Sequence, residues 1–323
     1  MLRDARIYQI LFLALFLTLG IGTRDWTLHP RMILTAIATC LTTQAIATWV
    51  VGRVRSQESE SEGNIQNSKF TWADSPETKI QNSPEPQPPI TNSQSLIPNF
   101  PSPGSPSPTP CPLSPTGLLS PLITSLGLSL LLRTEHYSTM VLAGSVAILS
   151  KFVLRVQDKH LFNPGNIGIV AAVLLTQDAW ISPGQWGEES WYALVFLGAG
   201  GIVLQRVGRW DTTVAFLGAY GFLEALRNVW LGWTWDVWAH RLMSGSLLLF
   251  ALFMVTDPRT IPNDRTARLL WAGAIALLTF VLRNVFFIPT AVFWALFVLS
   301  PLTLLLDAVW QAPRFEWRRA VKS

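Results

Sequence analysis

The sequence predicts an all-α integral membrane protein, and three observations carry that expectation. Half of the 323 residues are hydrophobic and only 14% are charged, against about 25% charged in a soluble globular chain. Mean hydropathy is +0.34, and the apolar residues gather in runs close to the roughly 20 residues that cross a bilayer as a helix. The chain also carries 15 tryptophans, many at the ends of those runs (Trp26, Trp180, Trp186, Trp210, Trp238 and Trp310). That placement suits the interfacial aromatic belt of a membrane protein.

Ten segments read as spanning helices: about 7–23, 32–52, 117–133, 138–156, 164–180, 190–206, 211–228, 239–256, 268–284 and 289–307. The first, from Tyr8 to Gly22, lacks an A-x-A cleavage site and is expected to stay as an anchor. Ser120-Pro121 interrupts the third, and the seventh carries Glu224 and Arg227. With both termini inside, the even-numbered loops hold Lys151, Arg155 and Lys159, then Arg206 and Arg209, then Arg259, Arg265 and Arg268. The tail adds Arg314, Arg318, Arg319 and Lys322, whereas the loop 181–189 has Glu188 and Glu189 and no Lys or Arg. This positive-inside pattern predicts a bacterial inner-membrane protein with both ends in the cytoplasm.

Four regions follow: two helices over 1–52, a different material over 53–115, eight helices over 116–308, and a basic cytoplasmic tail over 309–323. The stretch 53–115 is rich in Pro, Ser, Asn and Glu and ends in Pro101-Ser102-Pro103-Gly104-Ser105-Pro106-Ser107-Pro108. With so little apolar surface to offset ordering entropy, it reads as a disordered cytoplasmic loop. Phe152-Val153-Leu154-Arg155 and Phe280-Val281-Leu282-Arg283 are each followed within ten residues by a proline, Pro164 and Pro289. A five-helix offset between these echoes puts the copies in opposite orientation, as two inverted five-helix repeats require.

Several function classes are excluded. A net charge of +4, carried in short loops where it sets topology, gives no nucleic-acid footprint. Cys40 and Cys111 offer no metal spacing, and no phosphate loop, nucleophile elbow or catalytic constellation is present. The four histidines, His29, His136, His160 and His240, lie in or beside expected loops and read as surface residues rather than haem or metal ligands.

The candidate functional residues lie at helix ends. Asn163 suits an N-cap and Pro164 the first turn, so Phe162-Asn163-Pro164-Gly165-Asn166 reads as a helix start. Such a start points unpaired N–H groups and partial positive charge outward, an arrangement that holds anions in membrane proteins; an ordinary capped interfacial loop is the plainer alternative. At Thr256-Asp257-Pro258 a helix runs out, because proline cannot continue it. Asp257 can bind a cation there or simply close the loop. Arg206-Val207-Gly208-Arg209-Trp210-Asp211 reads as a short turn anchored at the headgroups, with Asp211 as N-cap. Glu224 and Arg227, three apart on one face, are expected to pair; inside a span they would mark an ion or substrate path.

Two of these segments carry a resemblance. Residues from Gly117 to Leu175, including Lys151-Phe152 and Phe162-Asn163-Pro164, are similar to the D subunit of Rnf electron-transport complexes and the B subunit of sodium-pumping NADH:quinone reductase. So is the stretch from Met243-Ser244-Gly245 to Phe253-Met254-Val255-Thr256-Asp257-Pro258. The resemblance implies ten helices in two inverted repeats and membership of a complex coupling electron transfer to Na⁺ or H⁺ movement, with flavin on this subunit. The family attaches FMN to the threonine of an S-G-A-T motif; here the matching stretch, Thr176 to Gly187, has no such motif, nor has the rest of the chain. Covalent FMN is therefore not expected, and any FMN or riboflavin would be held non-covalently. Ser182-Pro183-Gly184-Gln185-Trp186-Gly187 and Arg209-Trp210-Asp211 also resemble a divergent branch found with enediyne biosynthesis genes. The expected function is a subunit of an ion-translocating electron-transport complex, partnered by the lipid bilayer and other subunits, without catalytic residues of its own. The alternative is a flavin-free transporter or export component that kept the fold.

Overall fold

The computed structural model describes residues 4–23, 29–71, 115–156, 159–182 and 190–315. The loop 183–189, Trp26, Cys111, most of the Pro/Ser-rich stretch and the end of the tail lie outside the described residues.

Each of the ten expected segments is helical. The helices are α1 (Ala5–Thr23), α2 (Pro30–Thr71), α3 (Pro115–Leu131), α4 (Tyr137–Val153), α5 (Pro164–Leu175), α6 (Ser190–Val207) and α7 (Trp210–Trp230). The eighth segment is broken into α8 (Trp235–Leu242) and α9 (Gly245–Leu249), which runs on as a π-helical turn, Phe250–Met254. After α10 (Arg265–Asn284), the last segment is again split, into α11 (Ala291–Leu299) and α12 (Leu302–Val309). Two antiparallel strand pairs join helix ends: β1 (Leu132–Thr134) with β4 (Ala179–Ile181), and β2 (Arg155–Val156) with β3 (Lys159–His160).

By length and composition three helices among the described residues could cross a membrane, Ala5–Gly22, Pro30–Val54 and Arg265–Asn284, or up to five if each bent pair counts as one span. The bends are 49° between α8 and Gly245–Met254, and 48° between α11 and α12. Helices α3, α4 and α5 are apolar but shorter.

Local chemistry explains most boundaries. Pro121 does not interrupt α3: it lies in the helix's second turn, where the loss of a single intrahelical bond is tolerated. The fifth segment stops at Leu175, short of the expected 180, because the chain turns at Asp178 and enters β4. Asp178 accepts hydrogen bonds from the His136 N–H at 3.0 Å and from the Thr139 hydroxyl at 2.8 Å, tying the end of α5 to the start of α4. Helix α2 continues past 52 to Thr71, into the stretch expected to be disordered. Residues 53–71 contain no proline, and Arg, Gln and Glu are good helix formers. The chain divides into two compact units, Thr48–Cys111 and the remainder.

The core of the larger unit is apolar and filled by Phe16, Phe216, Tyr220, Phe250, Trp271 and Phe293, all almost fully buried. Helices α4 and α5 approach closely because position 168 is glycine. A Cβ there would stand 2.6 Å from the Ala143 carbonyl oxygen and 2.9 Å from the Ala147 Cβ. Small residues at such crossings are the usual means by which membrane helices bring their backbones together.

Candidate functional site

The helix start at Asn163 behaves as its residue types dictate. Asn163 has extended backbone (φ −63°, ψ 124°), and its side-chain oxygen accepts from the Asn166 N–H at 3.1 Å. Pro164 occupies the first helical position, where no N–H is needed. The amide of the same side chain then reaches the other candidate segment. It donates to the Met254 carbonyl oxygen at 3.3 Å and lies 3.4 Å from the Asp257 Oδ2. The N-P helix start and the T-D-P helix end, about ninety residues apart in sequence, thus form one junction.

The π-helical turn makes this possible. Widening the last turn of the broken segment displaces its carbonyls from the ordinary ladder, and three of them accept side-chain hydrogen bonds. Thr213 donates to the Ala251 oxygen at 2.7 Å, Thr256 to the Leu252 oxygen at 2.8 Å, and Asn163 to Met254. Asp257 Oδ1 accepts from the Arg259 N–H at 3.2 Å. Burial raises the Asp257 carboxyl above its ordinary range, against the opposing Arg259 hydrogen bond and the Lys151 charge.

Sequence reasoning also passes over two buried polar residues. The positive-inside pattern counts Lys151 as a cytoplasmic loop cation. It is instead buried in the last turn of α4, and its ammonium donates to the hydroxyls of Ser120 at 3.1 Å and Thr124 at 3.0 Å. No carboxylate bonds to it among the described residues. His160, expected at the surface, is buried, with its Nδ1 unpartnered; the other three histidines are exposed. Burial pushes the His160 imidazole down to about 3, with Arg259, Lys151 and Arg155 acting in the same sense. A helical phase for Lys151, matched against Ser120 and Thr124 on α3, is the one sequence signal available.

The first turn of α5 is closed on one side, since a Cβ at Gly165 would meet the Met254 Cε at 3.2 Å. Asn166 donates to the Phe293 oxygen at 3.1 Å and leaves its own side-chain oxygen buried without a donor. An orphaned acceptor in the turn that Asn163 ties to a carboxylate suits a small cation. The ring of a flavin would enter only if Met254 moved aside. Helices α5 and α11 meet through their first turns. Asn166 bonds to Phe293, and Phe162 stacks on Phe297 with centroids 4.9 Å apart, so the two run antiparallel.

The remaining candidates lie elsewhere. Glu224 and Arg227 do not pair. Glu224 is buried and accepts from Arg241 on α8 at 2.9 Å and from Asn284 on α10 at 2.7 Å. Arg227 instead lies over the Trp233 ring, 4.7 Å from its centroid. Asp211 is not an N-cap. It sits in the first turn of α7, buried, and accepts from the buried Arg268 at 2.7 Å. Asp211 and Glu224 mark opposite ends of α7, and both are bound by α10, so these helices run parallel. Among the described residues no group of three or more His, Cys, Asp or Glu stands close enough to hold a metal.

Comparison with known proteins assigns the chain to a family. The profile of the NQR2, RnfD, RnfE family matches residues 137–316, a stretch that holds Asn163, Glu224 and Asp257. The D subunit of an ion-translocating oxidoreductase complex from Stutzerimonas stutzeri is 36% identical over 139 residues, 43% of this chain and 39% of that protein. The subunits of the same name from Tolumonas auensis and Halorhodospira halophila are 32% and 28% identical, over 36% and 42% of this chain and 34% and 38% of their own lengths. The matched region thus spans well under half the length of these relatives. On the family profile, which covers more than half of the sequence, the chain belongs to the NQR2, RnfD, RnfE family.

Proposed function

We propose that this protein is a multi-pass membrane subunit of an ion-translocating electron-transport complex, and that its working centre is the junction of Asn163 with Met254 and Asp257. One observation carries the reading: a single amide caps α5 and binds the end of the broken segment. In this reading the ion path passes Thr256 and Asp257, with the orphaned Asn166 oxygen as a further ligand. Glu224 and Arg227 line its continuation at the far end of α7. The helix start of Asn163, Pro164, Gly165 and Asn166 receives any FMN or riboflavin, held without a covalent bond. Partner subunits supply the electron donor and acceptor.

The ten helical segments are then ten crossings in two inverted repeats, in the bacterial inner membrane, with both termini and the 53–115 stretch cytoplasmic. Two contacts support a common side for the chain ends. Arg206 lies over the Tyr8 ring at 4.5 Å, and Arg209, in the same turn, over the Phe315 ring at 5.6 Å.

A second reading has its own support. The missing S-G-A-T motif and the Met254 methyl closing the helix start favour a flavin-free transporter that kept the fold. An absorption spectrum of detergent-purified protein, before and after acid precipitation, separates the two. A flavin band released by acid supports the redox subunit, and a colourless protein supports the transporter. In either case Asn163→Leu should abolish ion movement while the protein still inserts; unchanged movement would remove the junction from the mechanism.

A further inference from the structure

The far end of α7 carries more positive charge than its structure needs. Arg227, Arg241 and Arg283 meet there with a single buried carboxylate, Glu224. They form one connected array. Arg241 bridges Glu224 and Asn284, each at 2.9 Å, and its guanidinium lies 5.5 Å from the Trp233 centroid. Arg227 lies over the same ring. Arg283 donates to the Tyr220 hydroxyl at 3.2 Å, one turn of α7 from Glu224. Arg227 and Arg283 have no acidic partner among the described residues. The next acid along the chain, Asp236, is exposed and bonded to Thr234.

Two features locate this array at the membrane surface. It lies where α7 and α10 end, and a collar of exposed aromatic and apolar side chains surrounds it. Trp230, Phe287 and Phe286 are 88%, 78% and 63% exposed, and Val285 and Trp235 about as open. Aromatic collars of this kind mark the depth of the lipid headgroups. The array is also opposite the end where a positive-inside chain concentrates its cations, so topology does not account for it. Guanidiniums with unused donors at headgroup depth match a tetrahedral oxyanion, which they bind through paired N–H groups.

We propose that Arg227, Arg241 and Arg283 form a phosphate-binding site at the far end of α7, and that its occupant is the headgroup phosphate of an anionic phospholipid. Glu224 is the positioning residue: it fixes Arg241 and leaves the other two guanidiniums to the ligand. The exposed collar supplies the surface against which the lipid chains lie. A soluble phosphate ester offers the same oxyanion without the chains. The proposal does not depend on the ion path or on any flavin.

The test uses the intact protein in nanodiscs containing phosphatidylglycerol and phosphatidylcholine, with native mass spectrometry to count retained lipid. The double variant Arg227→Gln/Arg283→Gln leaves the Glu224–Arg241–Asn284 bonds in place and should fold. The expected result is one tightly retained phosphatidylglycerol in the parent protein and at least a fivefold loss of it in the variant. Phosphatidylcholine retention should not change, and Arg227→Lys/Arg283→Lys should restore part of the binding. A parallel thermal-shift titration with glycerol 3-phosphate distinguishes the sources. A shift that requires the arginines, without lipid retention, would keep the phosphate site and overturn its lipid occupant. Equal phosphatidylglycerol retention by parent and glutamine variant, with no shift, would overturn the site itself.

Discussion

Two junctions, one at Asn163 and one at Glu224, tie distant segments together by opposite means. At Asn163 a neutral amide satisfies a helix start, a displaced carbonyl and a carboxylate oxygen in turn. The cation nearby, Lys151, rests on two hydroxyls. At Glu224 a buried carboxylate is held by a guanidinium from one helix and an amide from another. Losing one partner of a buried ion pair strands the other, whereas losing a lone buried charge relieves its desolvation. The two regions should therefore answer oppositely to charge removal.

The largest expected effect is at the paired junction. Glu224→Ala leaves Arg241 without its acid and should destabilise by about 3–5 kcal/mol, read as lost melting temperature in detergent. A drop no larger than that of an exposed substitution would break the contrast. Lys151→Met should do the reverse, leaving stability unchanged or raising it by roughly 1 kcal/mol or more, because only hydroxyl bonds are lost. If Lys151→Met destabilised as much as Glu224→Ala, an unseen acid would have to pair with it.

Gly168→Ala sharpens the comparison on packing rather than charge. A methyl 2.6 Å from the Ala143 oxygen forces α4 from α5, at a cost of about 1–3 kcal/mol. The Asn163 junction, carried on α5, should shift with it, while the Glu224 junction should not. Cysteine cross-linking at each site would report this.

A pH dependence is expected at His160. Burial holds its folded imidazole down at about 3, below the usual value of about 6.5. Its contribution to stability is therefore complete above about pH 6.5 and is lost as pH falls from there towards 3. His160→Gln should flatten this part of the stability profile. A profile that keeps its slope in the variant would assign the dependence to other groups.

Much of the fold is legible in the sequence because apolar length and local chemistry decide it. All ten expected helical segments form, and the Asn163 cap follows from four consecutive residues. What escapes is decided by partners on other helices. The i,i+3 spacing of Glu224 and Arg227 suggests a pair, yet Arg241 and Asn284 provide better geometry from α8 and α10. Lys151 and His160 look like loop residues because hydropathy does not register a polar side chain folded inward. Asp211 is drawn from an N-cap to a buried partner, Arg268, for the same reason. The broken eighth segment reads as one helix, since nothing in its composition distinguishes a π-helical turn from an α-helical one.

Helix α5 has only twelve residues, so it reaches about 18 Å, well short of a hydrocarbon core roughly 30 Å thick. If α5 is one of the proposed ten crossings, the backbone past Leu175, which leaves the helix for the β1–β4 ladder, must face protein or water at that depth. A vestibule reaching down to Thr176 would thin the insulating layer on this side of the molecule. Most of a transmembrane voltage would then drop along α5, and a charge moving past Asp257 would feel it over little more than half the bilayer.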